Sequence, residues 1–343
     1  MSHAVTIRPS GHSFHVEENE TVLVAALREG FALTYGCRNG ACGTCKGKLL
    51  EGKLDYGKHA ESALSAAEQA QGLALFCVAR PLSDIVIECR EVSAIKDQQV
   101  KILPCRVQSI DKPAPDVAVI SLKLPANERL QYLAGQYIEF LLKDGKRRSY
   151  SMATAPHDDA LLQIHVRHMP GGVFTDHVFE KLKVRDILRF EGPHGTFFLR
   201  EDSGKPMVLL ASGTGFAPIK AIIEHAFHKG MTRPMTLYWG ARRPRDLYMD
   251  DLARRWATEH AHFRYIAVVS DALPEDAWAG RSGFVHRAVL EDFPDLSGHQ
   301  VYACGAPAMV EAARRDFSAQ CALPPEEFYA DSFTTEADLA KVK

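Results

Sequence analysis

No apolar run in this chain approaches the roughly 20 residues that a membrane-spanning helix requires; stretches such as Pro206–Ala211 stop far short. The N-terminal segment MSHAVTIRPSG lacks the apolar core of a secretory signal, so the expected compartment is the reducing cytoplasm. A basic cluster able to follow a phosphate backbone is missing too. Lys+Arg number 41 and Asp+Glu 43, a formal charge of −2, which removes nucleic acid from the expected partners. Internal repeats and low-complexity tracts are also absent, and ordinary glycine (24) and proline (18) contents exclude disordered and collagen-like classes. What remains is a globular chain of 343 residues, long enough for about two or three domains.

Cysteine is not scarce. Of the 8 cysteines, three fall in Tyr35-Gly-Cys-Arg-Asn-Gly-Ala-Cys-Gly-Thr-Cys45, a C-x4-C-x2-C pattern, and Cys77 follows in LFCVAR. This is the ligand spacing of a plant-type 2Fe–2S centre, with Cys37, Cys42, Cys45 and Cys77 as metal ligands. The surrounding residues suit that chemistry. A loop wrapping an anionic cluster turns its amides inward, and Gly36, Gly40, Ala41, Gly43 and Thr44 leave room for close approach. Four cysteines can also hold one tetrahedral zinc, but zinc sites usually present two C-x2–4-C knuckles and the second half here has one cysteine. Cys89, Cys105 and Cys321 fit small buried hydrophobes.

The patterning along the chain changes twice. Residues 1–92 combine short strands (Ala4–Ile7, Ser13–Val16, Asp84–Glu88) with one helix, Val22–Glu29, and the polar stretch Val92–Gln99 reads as a linker. Six strand-like stretches follow, Lys101–Ile110, Ala118–Leu124, Gln136–Leu142, Arg148–Ala153, Leu161–Val166 and Ile187–Glu191, and indicate an antiparallel barrel or sandwich. From Lys205 the order becomes strand (PMVLLAS), glycine turn (GTGFAP), helix (IKAIIEHAFHKG) and strand (PMTLYWGA), the alternation of a parallel α/β sheet.

With these features, residues 1–92 resemble a plant-type ferredoxin and the remainder resembles the ferredoxin–NADP reductase superfamily. The resemblance implies a multidomain α/β and β protein: a β-grasp α+β ferredoxin domain (1–92), an antiparallel β-barrel FAD domain (103–200) and a parallel α/β NAD(P) domain (201–343). Arg147-Arg148-Ser-Tyr-Ser151 matches the family's R-x-Y-S, which implies Tyr150 against the flavin ring, Ser151 near its reactive nitrogen and Arg148 on its phosphates. Read alone, the same residues also fit a strand with two solvated arginines. Pro170-Gly-Gly-Val-Phe-Thr175, opening an expected helix Asp176–Leu182, matches the pyrophosphate turn, so Gly172, Val173 and Thr175 inherit that role by resemblance. Phe174 stands where the family varies. FAD is expected over FMN from the domain order.

In the family, G-T-G-x-A-P cradles the nicotinamide dinucleotide, which places Gly213, Thr214 and Gly215 there, Thr214 at the nicotinamide end. Tyr302-Ala-Cys-Gly-Ala306 matches a C-G motif whose cysteine, here Cys304, lies beside the hydride-donating carbon; the alternative is a buried strand cysteine. Ser151, Thr214 and Cys304 are thus the residues expected at the reacting atoms. In Tyr238-Trp-Gly-Ala-Arg-Arg-Pro-Arg245, three arginines could receive a 2′-phosphate, yet Arg242 also occurs in NADH-using members, so NADH is the expected donor and NADPH the alternative. Tyr329-Ala-Asp-Ser-Phe333 resembles a segment that covers the flavin, which leaves Phe333 between stacking and ordinary packing, with TTEADLAKVK beyond it.

Three cofactors in series convert electron number, from a two-electron hydride to single electrons at a centre of about −400 mV. No nucleophile–base constellation or substrate-activating metal site is evident in the sequence, so chemistry on an organic substrate is expected in a partner protein that accepts the electrons. Domain order, YWGAR and FYADSF give a resemblance to CDP-6-deoxy-3,4-glucoseen reductases, whose acceptor is a sugar dehydrase; reductase components of multicomponent mono- and dioxygenases share the layout. A redox-sensing binding protein on the same scaffold is the reading from another class.

Overall fold

The computed structural model describes residues 2–95, 98–143, 145–335 and 342. Contacts divide the chain into two compact units, residues 1–99 with 331–343, and residues 100–330.

In the first unit, alternation decides the sheet. Val5 and Ile7 of strand His3–Arg8, Phe14 and Val16 of Ser13–Val16, and Ile85 and Ile87 of Ile85–Glu88 all point into one core. The five-stranded sheet runs Ser13–Val16, His3–Arg8, Ile85–Glu88, Lys46–Glu51, Leu73–Leu75. His3–Arg8 and Ile85–Glu88 pair in parallel, whereas Ser13–Val16 with His3–Arg8 and Lys46–Glu51 with both Ile85–Glu88 and Leu73–Leu75 pair antiparallel. Helix Val22–Arg28 starts at Thr21, whose hydroxyl accepts from Val24 N–H, and buries Val22, Leu23, Ala25 and Ala26. This is the expected β-grasp. The strands Lys46–Glu51 and Leu73–Leu75 are unassigned by sequence patterning, because KGKLLE exposes or half-exposes every residue and so carries no period. Helix Ala66–Ala70 was legible in principle: Ser65 and Glu68 form a capping box. In the linker stretch, Ser93–Ile95 make a 3-10 turn that buries Ile95, while Lys96 and Asp97 lie outside the described residues. Of the ten residues after Phe333, only Thr334, Thr335 and Val342 are described.

The second unit holds two sheets. The antiparallel one runs Arg147–Ser151, Tyr137–Leu141, Ile187–His194, Lys101–Ala114, Val117–Lys123, Leu162–Arg167. A bridge between Met152 and Ile164 joins its two ends and closes the barrel, whose interior is filled by Val107, Ile120, Ile138, Phe140, Ile164 and Phe190, among others. Helix Val173–Glu180 begins inside P-G-G-V-F-T, earlier than the expected Asp176. Packing explains the difference: Phe174 stacks on Phe140 at 4.9 Å and touches Tyr150 at 5.0 Å, drawing the first turn into the barrel core.

The other sheet runs Arg281–Ser282, Phe263–Val269, Met235–Ala241, Met207–Ser212, Gln300–Gly305, Phe328–Ser332. Met207–Ser212 pairs in parallel with Met235–Ala241 on one side and Gln300–Gly305 on the other. The order in which strands are laid down therefore reverses about this strand, first to one side and later to the other, and its carboxyl end lies at a topological switch point, where ligands bind in such sheets. Helix Phe216–His228 follows it and is buried over most of its surface. Among the described residues no helix is long and apolar enough to cross a membrane.

Candidate functional site

The first centre is the cysteine loop. Cys42, Cys45 and Cys77 are buried and Cys37 is half-buried; none is in a disulfide. The thiols meet in pairs by hydrogen bonding, Cys37 with Cys42 and Cys45 with Cys77. Cys37 N–H donates to Cys42 Sγ at 3.4 Å, and Thr44 Oγ1 lies 3.3 Å from the same sulfur. The Cys37 thiol holds Cys42 down to about 6 against the cost of burial, with help from Thr44, while Cys37 and Cys45 are pushed up by thiol neighbours and burial. Four cysteine sulfurs gathered together, with the Cys37 amide aimed at Cys42 Sγ, fit the ligand set of a 2Fe–2S cluster. Gly40 has φ +78°, and a Cβ there would stand 2.7 Å from Lys58 O, so both conformation and space require glycine. Lys46, at the end of the loop, is tied to Glu68 at 2.6 Å.

The second lies on strand Arg147–Ser151. Ser151 is buried and Tyr150 is half-buried, its phenol pushed up by burial. The adjacent arginines differ. Arg147 reaches Glu139 (3.3 Å) and Glu191 (2.9 Å), whereas Arg148 Nη1 donates to Arg147 O. In the turn before helix Val173–Glu180, the Thr175 hydroxyl donates to Met169 O at 2.8 Å and accepts from Met169 N–H at 3.2 Å, so this side chain shapes the turn from inside. A Cβ on Gly172 would meet that hydroxyl at 2.6 Å. Val173 stands 49% exposed at the helix start, beside amides suited to an anion.

The third is the turn Gly213–Gly215 at the switch point. A Cβ on Gly215 would lie 2.1 Å from Cys304 O, and one on Gly305 2.6 Å from Ser212 O, so the two strand ends pack backbone against backbone. Ser212 Oγ also accepts from Ala306 N–H at 3.0 Å. Thr214 is half-exposed; Cys304, at 0%, is wholly buried. Arg242 is exposed, 4.0 Å from Asp116 and 3.8 Å from Asp246, and Arg243 is bound to Asp276 and Glu275. Phe333, half-buried, follows strand Phe328–Ser332 and groups with the first unit.

Sequence reasoning passed over Arg167. Its guanidinium lies about 3.6 Å from where a Gly213 Cβ would stand and bonds Asp116 at 2.9 Å, yet its Nε and Nη2 are buried without a partner. Orphaned cationic nitrogens beside a glycine turn fit an anionic dinucleotide. The signal was available as the last residue of an outward-alternating strand, Gln163, His165, Arg167, but no motif marks it.

A β-grasp with four grouped thiols, a closed barrel carrying R-x-Y-S and a parallel sheet with a glycine turn at its switch point together define an electron-transfer oxidoreductase using NAD(P)H, FAD and a 2Fe–2S cluster. The family models agree. A 2Fe-2S iron-sulfur cluster binding domain matches residues 5–82, an oxidoreductase FAD-binding domain 104–199 and an oxidoreductase NAD-binding domain 209–315. The chain is 41% identical over 333 residues to a CDP-6-deoxy-L-threo-D-glycero-4-hexulose-3-dehydrase reductase of Yersinia pseudotuberculosis, covering 97% of this chain and 99% of the relative. It is 38% identical to reductase component 2 of a Comamonas terephthalate 1,2-dioxygenase, covering 98% of each. The crystal structure of the Amycolatopsis cytochrome P450 reductase GcoB matches with TM-score 0.77 at 37% identity, over 97% of this chain and 99% of that one. The chain belongs to the ferredoxin–NADP reductase superfamily, in the branch of reductases that carry an N-terminal 2Fe–2S domain.

Proposed function

We propose that this reductase takes electrons from NADH rather than NADPH and delivers them, in the cytoplasm, to a hexulose dehydrase of the kind its Yersinia relatives serve by name. The observation that carries the acceptor is identity of 41% along nearly the whole of both chains. The oxygenase component of a multicomponent system is the second reading, favoured by the Comamonas and Amycolatopsis similarities. Purified reductase, NADH and each purified acceptor in turn decide between them: coupled NADH oxidation with the dehydrase is expected, and turnover with oxygenase alone overturns the assignment.

The donor preference rests on charge. Asp276 and Glu275 engage Arg243, and the carboxylates of Asp116 and Asp246 stand within 4.0 Å of Arg242, which disfavours a 2′-phosphate there. A higher kcat/KM with NADH than with NADPH is the expected result.

In this reading, domains span 1–92, 103–200 and 201–343. Bound FAD supplies the exchange between two-electron and one-electron transfer, and the cluster supplies low-potential one-electron transfer. Cys37 and Cys42 would hold one iron, Cys45 and Cys77 the other. Tyr150 covers the flavin ring, Ser151 donates at its reactive nitrogen, and Arg148 neutralises its phosphates. Gly172, Val173 and Thr175 form the pyrophosphate turn, Thr175 through its internal hydrogen bonds. Gly213, Thr214 and Gly215, with Arg167 and Arg242, hold the dinucleotide, and Cys304 borders the nicotinamide once the residues burying it give way.

Two substitutions separate these roles. Arg148→Ala is expected to release FAD on gel filtration. Cys304→Ala is expected to keep FAD but slow its reduction in stopped flow by about tenfold or more. An unchanged rate in the second variant returns Cys304 to the core.

A further inference from the structure

Among the polar contacts between the α/β sheet layer and the barrel inside the second unit, two are made by buried side chains, His165 and Lys220. His165, on the outer face of strand Leu162–Arg167, is 4% exposed; its Nδ1 lies 2.8 Å from the Tyr248 hydroxyl and its Nε2 3.4 Å from Gln163 Oε1. Lys220, on helix Phe216–His228, is 9% exposed and donates to Ala153 O at 3.1 Å, two residues beyond Ser151, while pairing with Glu224 at 2.7 Å.

Burial, with Lys220 nearby, pushes the His165 pKa down to about 3, so the imidazole is neutral. The Gln163 oxygen can only accept, which places the ring proton on Nε2. Nδ1 is then the acceptor and Tyr248 O–H the donor.

Tyr248 continues toward the dinucleotide turn. Its ring packs edge-on to Trp239 (5.2 Å) and Phe216 (6.2 Å); Trp239 stacks on Phe216 at 3.9 Å and donates from Nε1 to Gly213 O at 3.0 Å. The path thus runs from a barrel strand, through one hydroxyl and two rings, to the carbonyl of the first turn glycine. Lys220 makes the matching tie on the other side, from the helix that follows the turn to the strand end that follows Ser151.

We propose that Tyr248 and Lys220 are positioning residues that register the Gly213–Gly215 turn against the flavin strand Arg147–Ser151, Tyr248 acting through His165. The proposal rests on the assignment of that turn to NADH. Hydride transfer demands reacting atoms about 3–3.5 Å apart, and a displacement of about 1 Å costs about a hundredfold, so a loosened latch lowers rate more than affinity.

The test is stopped-flow reduction of FAD by NADH in the full-length holoprotein. Tyr248→Phe keeps the ring packing and removes only the donor. The limiting rate is expected to fall by about tenfold or more, with the NADH dissociation constant within about twofold, FAD content unchanged, and a weaker long-wavelength charge-transfer band between reduced flavin and NAD+. His165→Leu should match it, and the double variant should lose no more than either single one. His165→Asn, which can offer an amide oxygen near the position of Nδ1, should recover much of the rate. If Tyr248→Phe reduces flavin at the native rate, if it raises the dissociation constant with the rate intact, or if His165→Asn behaves like His165→Leu, the proposal falls. Gly215→Ala distinguishes the failures: reduction lost there but native in Tyr248→Phe defeats the latch alone, whereas native reduction in both defeats the assignment of the turn as well.

Discussion

Cys42→Ala is expected to abolish assembly of the 2Fe–2S cluster while leaving NADH-driven reduction of the flavin at its native rate. The Cys42 thiol is held down to about 6, chiefly by Cys37, and its Sγ accepts from the Cys37 amide and lies 3.3 Å from Thr44 Oγ1, so its loss removes the sulfur around which this end of the loop is arranged. Cys89, the other cysteine of the first unit, is pushed up to about 12 by burial and by Glu91 and Glu88, and is unsuited to serve as a thiolate. The turns proposed to hold flavin and dinucleotide lie in the second unit, residues 100–330, which the substitution does not touch. Iron and acid-labile sulfide are expected to be absent from the variant, and transfer to a one-electron acceptor protein should be lost with them. Zinc without sulfide in the native protein would sink the cluster assignment altogether.

Most of this molecule is legible where chemistry constrains residue type. The C-x4-C-x2-C run is visible because two irons need four thiolates at fixed reach, and Gly40 because its φ of +78° and its approach to Lys58 O exclude any side chain. The apolar strand Met207–Ser212 announces a parallel sheet because both of its faces are covered. Strand Lys46–Glu51 is hidden for the opposite reason: its neighbours supply the pairing and none of its own residues is fully buried. Phe174 looks like a variable position in a phosphate turn, but three-dimensional packing on Phe140 makes it core. Arg167, His165 and Tyr248 are legible only in space. Arg167 and His165 stand on a barrel strand, the groups they face are Gly213 and Tyr248 in the following sheet layer, and no sequence spacing links the two. The structure also distinguishes the three arginines, since Arg243 is engaged by Asp276 and Glu275 while Arg242 is exposed.

Gly215→Ala is expected to eliminate reduction by NADH through space rather than conformation. Gly215 has φ −58°, which alanine adopts freely, so backbone strain is not the cause. The added Cβ would stand 2.1 Å from Cys304 O, 2.5 Å from Cys304 C and 2.8 Å from Gly305 Cα, all backbone atoms of a fully buried strand end that cannot rotate away. Either the turn lifts or the strand end shifts, and both move Thr214 relative to the flavin strand. A shift of about 1 Å is enough for about a hundredfold loss in the flavin reduction rate. Gly204, whose added Cβ would meet nothing within 4 Å, supplies the control: Gly204→Ala should reduce its flavin normally. Dithionite, which needs no dinucleotide site, should reduce both centres of Gly215→Ala as in the native protein, and FAD content should be equal. Native reduction of Gly215→Ala by NADH would mean that the strand ends yield without cost to the turn, and the dinucleotide would then have to bind elsewhere on the sheet.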